Sequence, residues 1–193
     1  MKVDIILAGV GGQGILSIAT TIGYAAIDMG LYLKQSEVHG MSQRGGDVQS
    51  NLRLSDKEIA SDLIPLGKAD LIISVEPMES LRYLPMLSKD GWLITNTTPF
   101  VNIANYPTMD HLMAKINSLK HHVALDADSI AKELGSAKSA NIVILGAATP
   151  YLQIPFERFE NAISNIFKNK GEEVVALNIA ALKAGRDFTT QSK

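Results

Sequence analysis

The chain contains no cysteine. Without thiolates it forms no disulfide, offers no cysteine nucleophile and holds no conventional iron–sulfur cluster. If it takes part in electron transfer, another polypeptide carries the metal. An excess of charge is missing as well. Eighteen basic against twenty acidic residues leave a formal net charge of -2, which gives no electrostatic reason to expect a nucleic-acid partner. The longest apolar runs, 3–10 and 142–148, are too short to cross a bilayer. Met1-Lys2 leads directly into a strand-like run, without the apolar segment and small-residue cleavage site of a secretory signal. A cytoplasmic location with no membrane contact is expected.

What is present is an ordinary balance, with 46% hydrophobic and 20% charged residues over 193 positions. That is enough for one α/β domain with a substantial core. The apolar run 3–8 reads as a buried parallel strand. Ile15, Ile18, Ala19, Ile22, Ala26 and Met29 recur at three- and four-residue steps, a helical stripe closed by Gly30. A second strand is expected over 31–35, and a half-exposed one where Val48, Ser50, Leu52 and Leu54 alternate with polar neighbours. Further strands are expected at 69–75, 92–96 and 122–125. Pro77 opens a helix through Leu84, Thr108 caps one through Leu119, and Asp128 caps one over 129–134. Beyond Lys138 the chain reads as helical, with segments at 139–148, 155–169 and 172–184. The pattern predicts a single Rossmann-like, doubly wound and mostly parallel sheet with a C-terminal helical segment. The domain is expected over 1–188, with a frayed polar tail over 189–193.

Two glycine-rich loops carry the chemistry. In the first, Gly9, Gly11 and Gly14 follow a strand and open a helix with G-x-G-x-x-G spacing, and Gly12 and Gln13 lie between. Such a turn brings backbone N–H groups and a helix N-terminus to an anion. A dinucleotide site also needs an acid about twenty residues on for the ribose. Glu37 stands twenty-three past Gly14, inside the second loop rather than at a clean strand end. The other reading is that these glycines only pack the helix against the sheet.

The second loop is Glu37-Val38-His39-Gly40-Met41-Ser42-Gln43-Arg44-Gly45-Gly46. Polar groups on a glycine-supported loop, at the carboxyl end of a parallel sheet, are placed for a ligand or a partner. Arg44 is the natural anchor for a carboxylate or phosphate, unless it pairs with Glu37 inside the loop. His39 is the one candidate for a proton-transfer residue. His121 and His122 are adjacent, so they point to opposite sides of a strand and make no metal pair. His111 stands alone on a helix. Asp126 and Asp128 read as turn and cap residues rather than catalytic carboxylates.

The two loops together, Gly9-Val10-Gly11-Gly12-Gln13-Gly14 and Ser36 through Gly46, resemble the gamma-type domain of the 2-oxoacid:ferredoxin oxidoreductases. The Glu37-Val38-His39-Gly40-Met41 wording is similar to the indolepyruvate branch of that family. The pyruvate and 2-oxoglutarate branches typically carry a serine-tyrosine-glycine variant there. The likeness extends over most of the chain, including Asp70 to Pro77, Asn141 to Gly146, and the closing helix with Asn178 and Gly185.

The resemblance implies oxidative decarboxylation of an arylpyruvate to an acyl-CoA, with electrons passed to ferredoxin. It places thiamine diphosphate, Mg2+ and iron–sulfur clusters in a large alpha subunit, and makes CoA a co-substrate of the complex. This chain lacks a recognisable thiamine diphosphate signature, so it is expected to be inactive alone. The implied role of Glu37, His39, Gly40, Met41, Gln43, Arg44, Gly45 and Gly46 is contact with the alpha subunit near its active site or CoA entry. Two rivals remain open at the level of sequence. One is a freestanding NAD(P)-dependent dehydrogenase using the first loop; the other is a non-catalytic regulatory or scaffold module.

Overall fold

The computed structural model describes residues 1–40 and 45–191. Six strands form one sheet in the order β2-β3-β1-β4-β5-β6. They are β1 (Lys2–Val10), β2 (Tyr32–His39), β3 (Asp47–Ser55), β4 (Ala69–Ser74), β5 (Leu87–Asn96) and β6 (His122–Leu125). The helices are α1 (Ile15–Ile27), α2 (Pro77–Arg82), α3 (Met109–Asn117), α4 (Ala127–Glu133), α5 (Ala140–Ala148), α6 (Phe156–Phe167) and α7 (Glu172–Gln191). β1, β4, β5 and β6 pair in parallel, while β3 runs antiparallel to both β1 and β2. The expected Rossmann-like α/β architecture is therefore a mixed sheet, in which β3 alone opposes the other strands.

β1 is central and buried almost throughout, so its side chains feed both faces. Ile5 and Leu7 join the larger core beneath α1 and α4 to α7, whereas Ile6 packs with Ile72, Leu93 and Ile116 on the side of α2 and α3. The apolar stretch at 5–8 follows from that double burial. α5 and α7 cross closely enough that a Cβ on Gly185 would fall 1.9 Å from the Val143 carbonyl oxygen.

Several elements differ from the sequence expectation. β2 does not stop at Gln35 but runs through Glu37 and His39, because it forms a hairpin with β3 in register from Tyr32↔Ser55 to His39↔Val48. β3 is largely buried rather than half-exposed, since it lies between β1 and β2. Its Ser50 and Asn51 are satisfied across the ladder by Gln35 (3.1 Å) and Ser36 (3.4 Å). The cap of α4 is Asp126, not Asp128. Asp126 accepts the Ser129 N–H at 3.0 Å, while the Asp128 carboxylate turns to Asn96 Nδ2 at 2.7 Å. The polar residues 189–191 are not a frayed tail. They complete α7, and Thr189 is buried with its hydroxyl donating to the Ala147 carbonyl at 3.0 Å. Ser192 and Lys193 lie outside the described residues. The Thr108 cap is as expected, accepting the His111 N–H.

Candidate functional site

From β1 the chain runs out to β2, returns through β3 to lie beside β1, and then crosses to β4 on the far side. Connections leaving the carboxyl ends of β1 and β4 therefore diverge, and α/β sheets place ligands in the crevice so formed. A cleft of about 760 Å³ opens there, within the usual range for a small-molecule site.

The first glycine loop forms one wall. The Gln13 carboxamide oxygen accepts the Val10 N–H at 2.8 Å and holds the turn shut. Gly14 occupies the N-cap position of α1 with φ 82°, and a Cβ there would sit 2.5 Å from Asn141 Nδ2. The conformation and the close approach both require glycine. Gly9 is a packing position, because a Cβ would come within 2.4 Å of Val75 Cγ2. The first loop is thus a packing device and a shaped turn together.

The opposite wall comes from distant sequence. Lys138, Asn141, Lys170 and Asn178 face the first loop across the cleft, and Asn141 Nδ2 donates to the Gly14 carbonyl at 3.0 Å. Neither α1 nor α5 has a side-chain cap or an acidic residue in its first turn. Two uncapped helix N-termini and two lysines give this cleft a positive bias suited to an anionic group. Asp128 also lines it, with its carboxylate held by Asn96.

The described end of the second loop adjoins the first loop. The Gly11 N–H donates to the Gly46 carbonyl at 2.9 Å, tying the first loop to the end of the second, and the Gly40 N–H donates across the base of the second loop to the Asp47 carbonyl, also at 2.9 Å. Asn102 Nδ2 donates to the Gly45 carbonyl at 2.7 Å. Glu37 and His39 share one side of β2, with His39 Nε2 2.6 Å from Glu37 Oε1. The imidazole is more than half exposed, whereas Glu37 is mostly buried. Met41, Ser42, Gln43 and Arg44 lie outside the described residues, and so does the question of a Glu37–Arg44 pair.

Glu76, which precedes the helix-opening Pro77, carries a role not expected from the sequence. The side chain is fully buried and caps α2 by accepting the Glu79 N–H at 2.7 Å. Beside it Glu79 pairs with Arg82 at 2.7 Å. Burial pushes the Glu79 carboxyl above its usual range, against the opposing pull of Arg82. A charged residue between a buried strand and a helix-opening proline was the available signal. The remaining histidines stay apart: His121 stacks on Trp92 with centroids 5.0 Å apart, and His122 Nδ1 lies 2.8 Å from the Leu119 carbonyl. Among the described residues, no group of three or more His, Asp or Glu is placed to hold a metal. No helix among them is long and apolar enough to cross a membrane.

Residues 4–188 match the family described as pyruvate ferredoxin/flavodoxin oxidoreductase. The chain belongs to this family. Among relatives of this oxidoreductase domain, the indolepyruvate oxidoreductase subunit IorB of Archaeoglobus fulgidus is 37% identical over 96% of this chain and 94% of its own length. The gamma subunit of the keto/oxoacid ferredoxin oxidoreductase from Geobacter sulfurreducens superposes with a TM-score of 0.73 at 25% identity. That match covers 98% of this chain and 99% of the other. The 2-oxoglutarate:ferredoxin oxidoreductase of Magnetococcus marinus, solved with 2-oxoglutarate, coenzyme A and succinyl-CoA bound, has a TM-score of 0.78. It shares the fold at 21% identity, and this chain, covered over 98%, spans only 31% of that longer one. The resemblance carried by the two glycine loops is borne out: this is a gamma-type subunit domain of the oxidoreductase family.

Proposed function

We propose that the chain is the small subunit of an indolepyruvate, or related arylpyruvate, ferredoxin oxidoreductase. A large alpha subunit would carry thiamine diphosphate, Mg2+ and the iron–sulfur clusters. The complex decarboxylates the 2-oxoacid, delivers the acyl group to CoA and passes two electrons to ferredoxin. Thiamine diphosphate supplies the electron sink for that decarboxylation. The observation that carries the reading is near full-length similarity to a protein named as an indolepyruvate oxidoreductase subunit. The absence of cysteine fits the division of labour, because the clusters need thiolates this chain lacks.

Within that complex the chain's residues have two tasks. The cleft between Gly12–Gly14 and Lys138, Asn141 and Lys170 suits a phosphate-bearing co-substrate such as CoA. The rim beyond it, with the second glycine loop and the exposed Phe100, Val101 and Ile103, faces the large subunit. Fixed apolar side chains in water beside a polar loop are the mark of a partner surface. His39, paired with Glu37, belongs to that contact rather than to proton transfer.

The dehydrogenase alternative loses its ribose acid. β3 separates β2 from β1, so Glu37 stands two strand spacings, about 10 Å, from β1 and level with Leu7, short of the first loop. Tagging the chain in its native cell, purifying it anaerobically and identifying what accompanies it tests the reading. A large cysteine-rich partner is expected. Emergence alone, with saturable NAD(P) binding, would overturn it. Arg44→Ala is expected to lose that partner; unchanged assembly and unchanged CoA affinity would remove both roles proposed for Arg44.

A further inference from the structure

We infer that Glu76 and Asn102 are positioning residues for Gly45 and Gly46, at the end of the second glycine loop, linked through the segment 97–107 between β5 and α3. Beyond capping α2, the buried Glu76 carboxylate accepts the Phe100 N–H at 3.2 Å and the Tyr106 hydroxyl. One carboxylate thereby pins the segment at two points. Between those points, Asn102 reaches outward and donates to the Gly45 carbonyl at 2.7 Å. Gly46 and Asp47 then accept from Gly11 and Gly40, so the position of Asn102 is passed to both glycine loops.

A buried carboxylate is costly unless its oxygens are fully engaged. Among the described residues no cation pairs with Glu76, and Arg82 on the same helix pairs with Glu79 instead. Among the described residues, two of the three groups that donate to the buried Glu76 side chain lie in 97–107, so it chiefly serves to fix that segment. Burial, followed by the bond to Glu76, pushes the Tyr106 hydroxyl above its ordinary range, so it remains a donor across neutral pH. The segment is rooted in the core at its base and touches the glycine loop at its tip.

The consequence for the complex rests on the partner-facing role proposed above, and the test separates the two. Asn102→Asp keeps the shape but removes the amide donor, and Tyr106→Phe removes only the hydroxyl. Neither truncates a buried apolar side chain. In the full chain, both are expected to lower hydrogen-exchange protection of the Gly11 and Gly40 amides about tenfold. Amides paired between β1 and β4 should keep theirs. Association with the large subunit should weaken in parallel. Unchanged protection at Gly11 and Gly40, or an equal fall at every amide, would overturn the positioning role. Lower protection with undiminished association would leave that role standing and remove the partner-facing role of the loop.

Discussion

The two ends of the sheet are built on different terms. At the amino end of β1, Asp4 is buried and held by Arg53 through two contacts, at 2.8 and 3.0 Å, with Lys2 at 2.8 Å. Arg53 also donates to the Ser61 and Leu63 carbonyls, both at 3.0 Å, and so ties residues 61–63 to β3. At the carboxyl end, two helices start without side-chain caps, two lysines face an open cleft, and Phe100, Val101 and Ile103 stand in water. The amino end closes its buried charge with its own chain, whereas the carboxyl end, beside its internally bonded groups, leaves two helix N-termini and two lysines open to the cleft. If the cleft binds its proposed co-substrate, substitutions at the two ends should move different readouts.

The sharpest way to break that contrast is Arg53→Met. It leaves the Asp4 charge buried with only Lys2 beside it, and about 3 kcal/mol of stability should be lost in urea unfolding. The pH dependence should reverse too. In the native protein burial pushes the Asp4 carboxyl up, but the bonds to Arg53 and Lys2 outweigh it and hold it below its usual range. Its stabilising contribution is therefore present above about pH 4 and lost as pH falls through the lower folded value. With Arg53 gone, burial dominates and the folded value rises, so the variant's deficit should shrink on acidification. A deficit that stays constant with pH would contradict this account of the pair.

Gly14→Ala sits at the junction of the two regimes. A φ of 82° and the Asn141 contact should cost about 1–2 kcal/mol, with a loss of cleft affinity larger than the stability change implies. Equal effects on both would make the first loop purely structural. The smallest stability effect is expected for Lys138→Ala and Lys170→Ala, each within about 0.5 kcal/mol of the parent. Each should raise the CoA concentration needed for half-maximal rate in the reconstituted complex about tenfold. A stability loss without that change would erase the distinction between the two ends.

The parts of the fold legible in the sequence were those buried on both faces. β1 and β4 carry the apolar stretches at 5–8 and 71–73, and α1 shows its stripe plainly. The β2–β3 hairpin was only partly legible, because its polar residues are satisfied across the ladder, Gln35 to Ser50 and Asn51 to Ser36. Alternation alone could not place β3 inside the sheet. Asp126 and Asp128 are equally good caps on paper, and the pull of Asn96 on Asp128 decides between them. Of the site, the first loop was legible through its spacing. The far wall was not, since Asn141 meets Gly14 from 127 residues away. Glu76 was hidden for a similar reason: its partners Phe100 and Tyr106 lie in a segment that reads simply as a polar loop.

The most direct test of the account is indolepyruvate-dependent reduction of ferredoxin, measured anaerobically with the large subunit alone, this chain alone, and the two combined. The account predicts CoA-dependent turnover only in the combination. Full activity from the large subunit without this chain would contradict it.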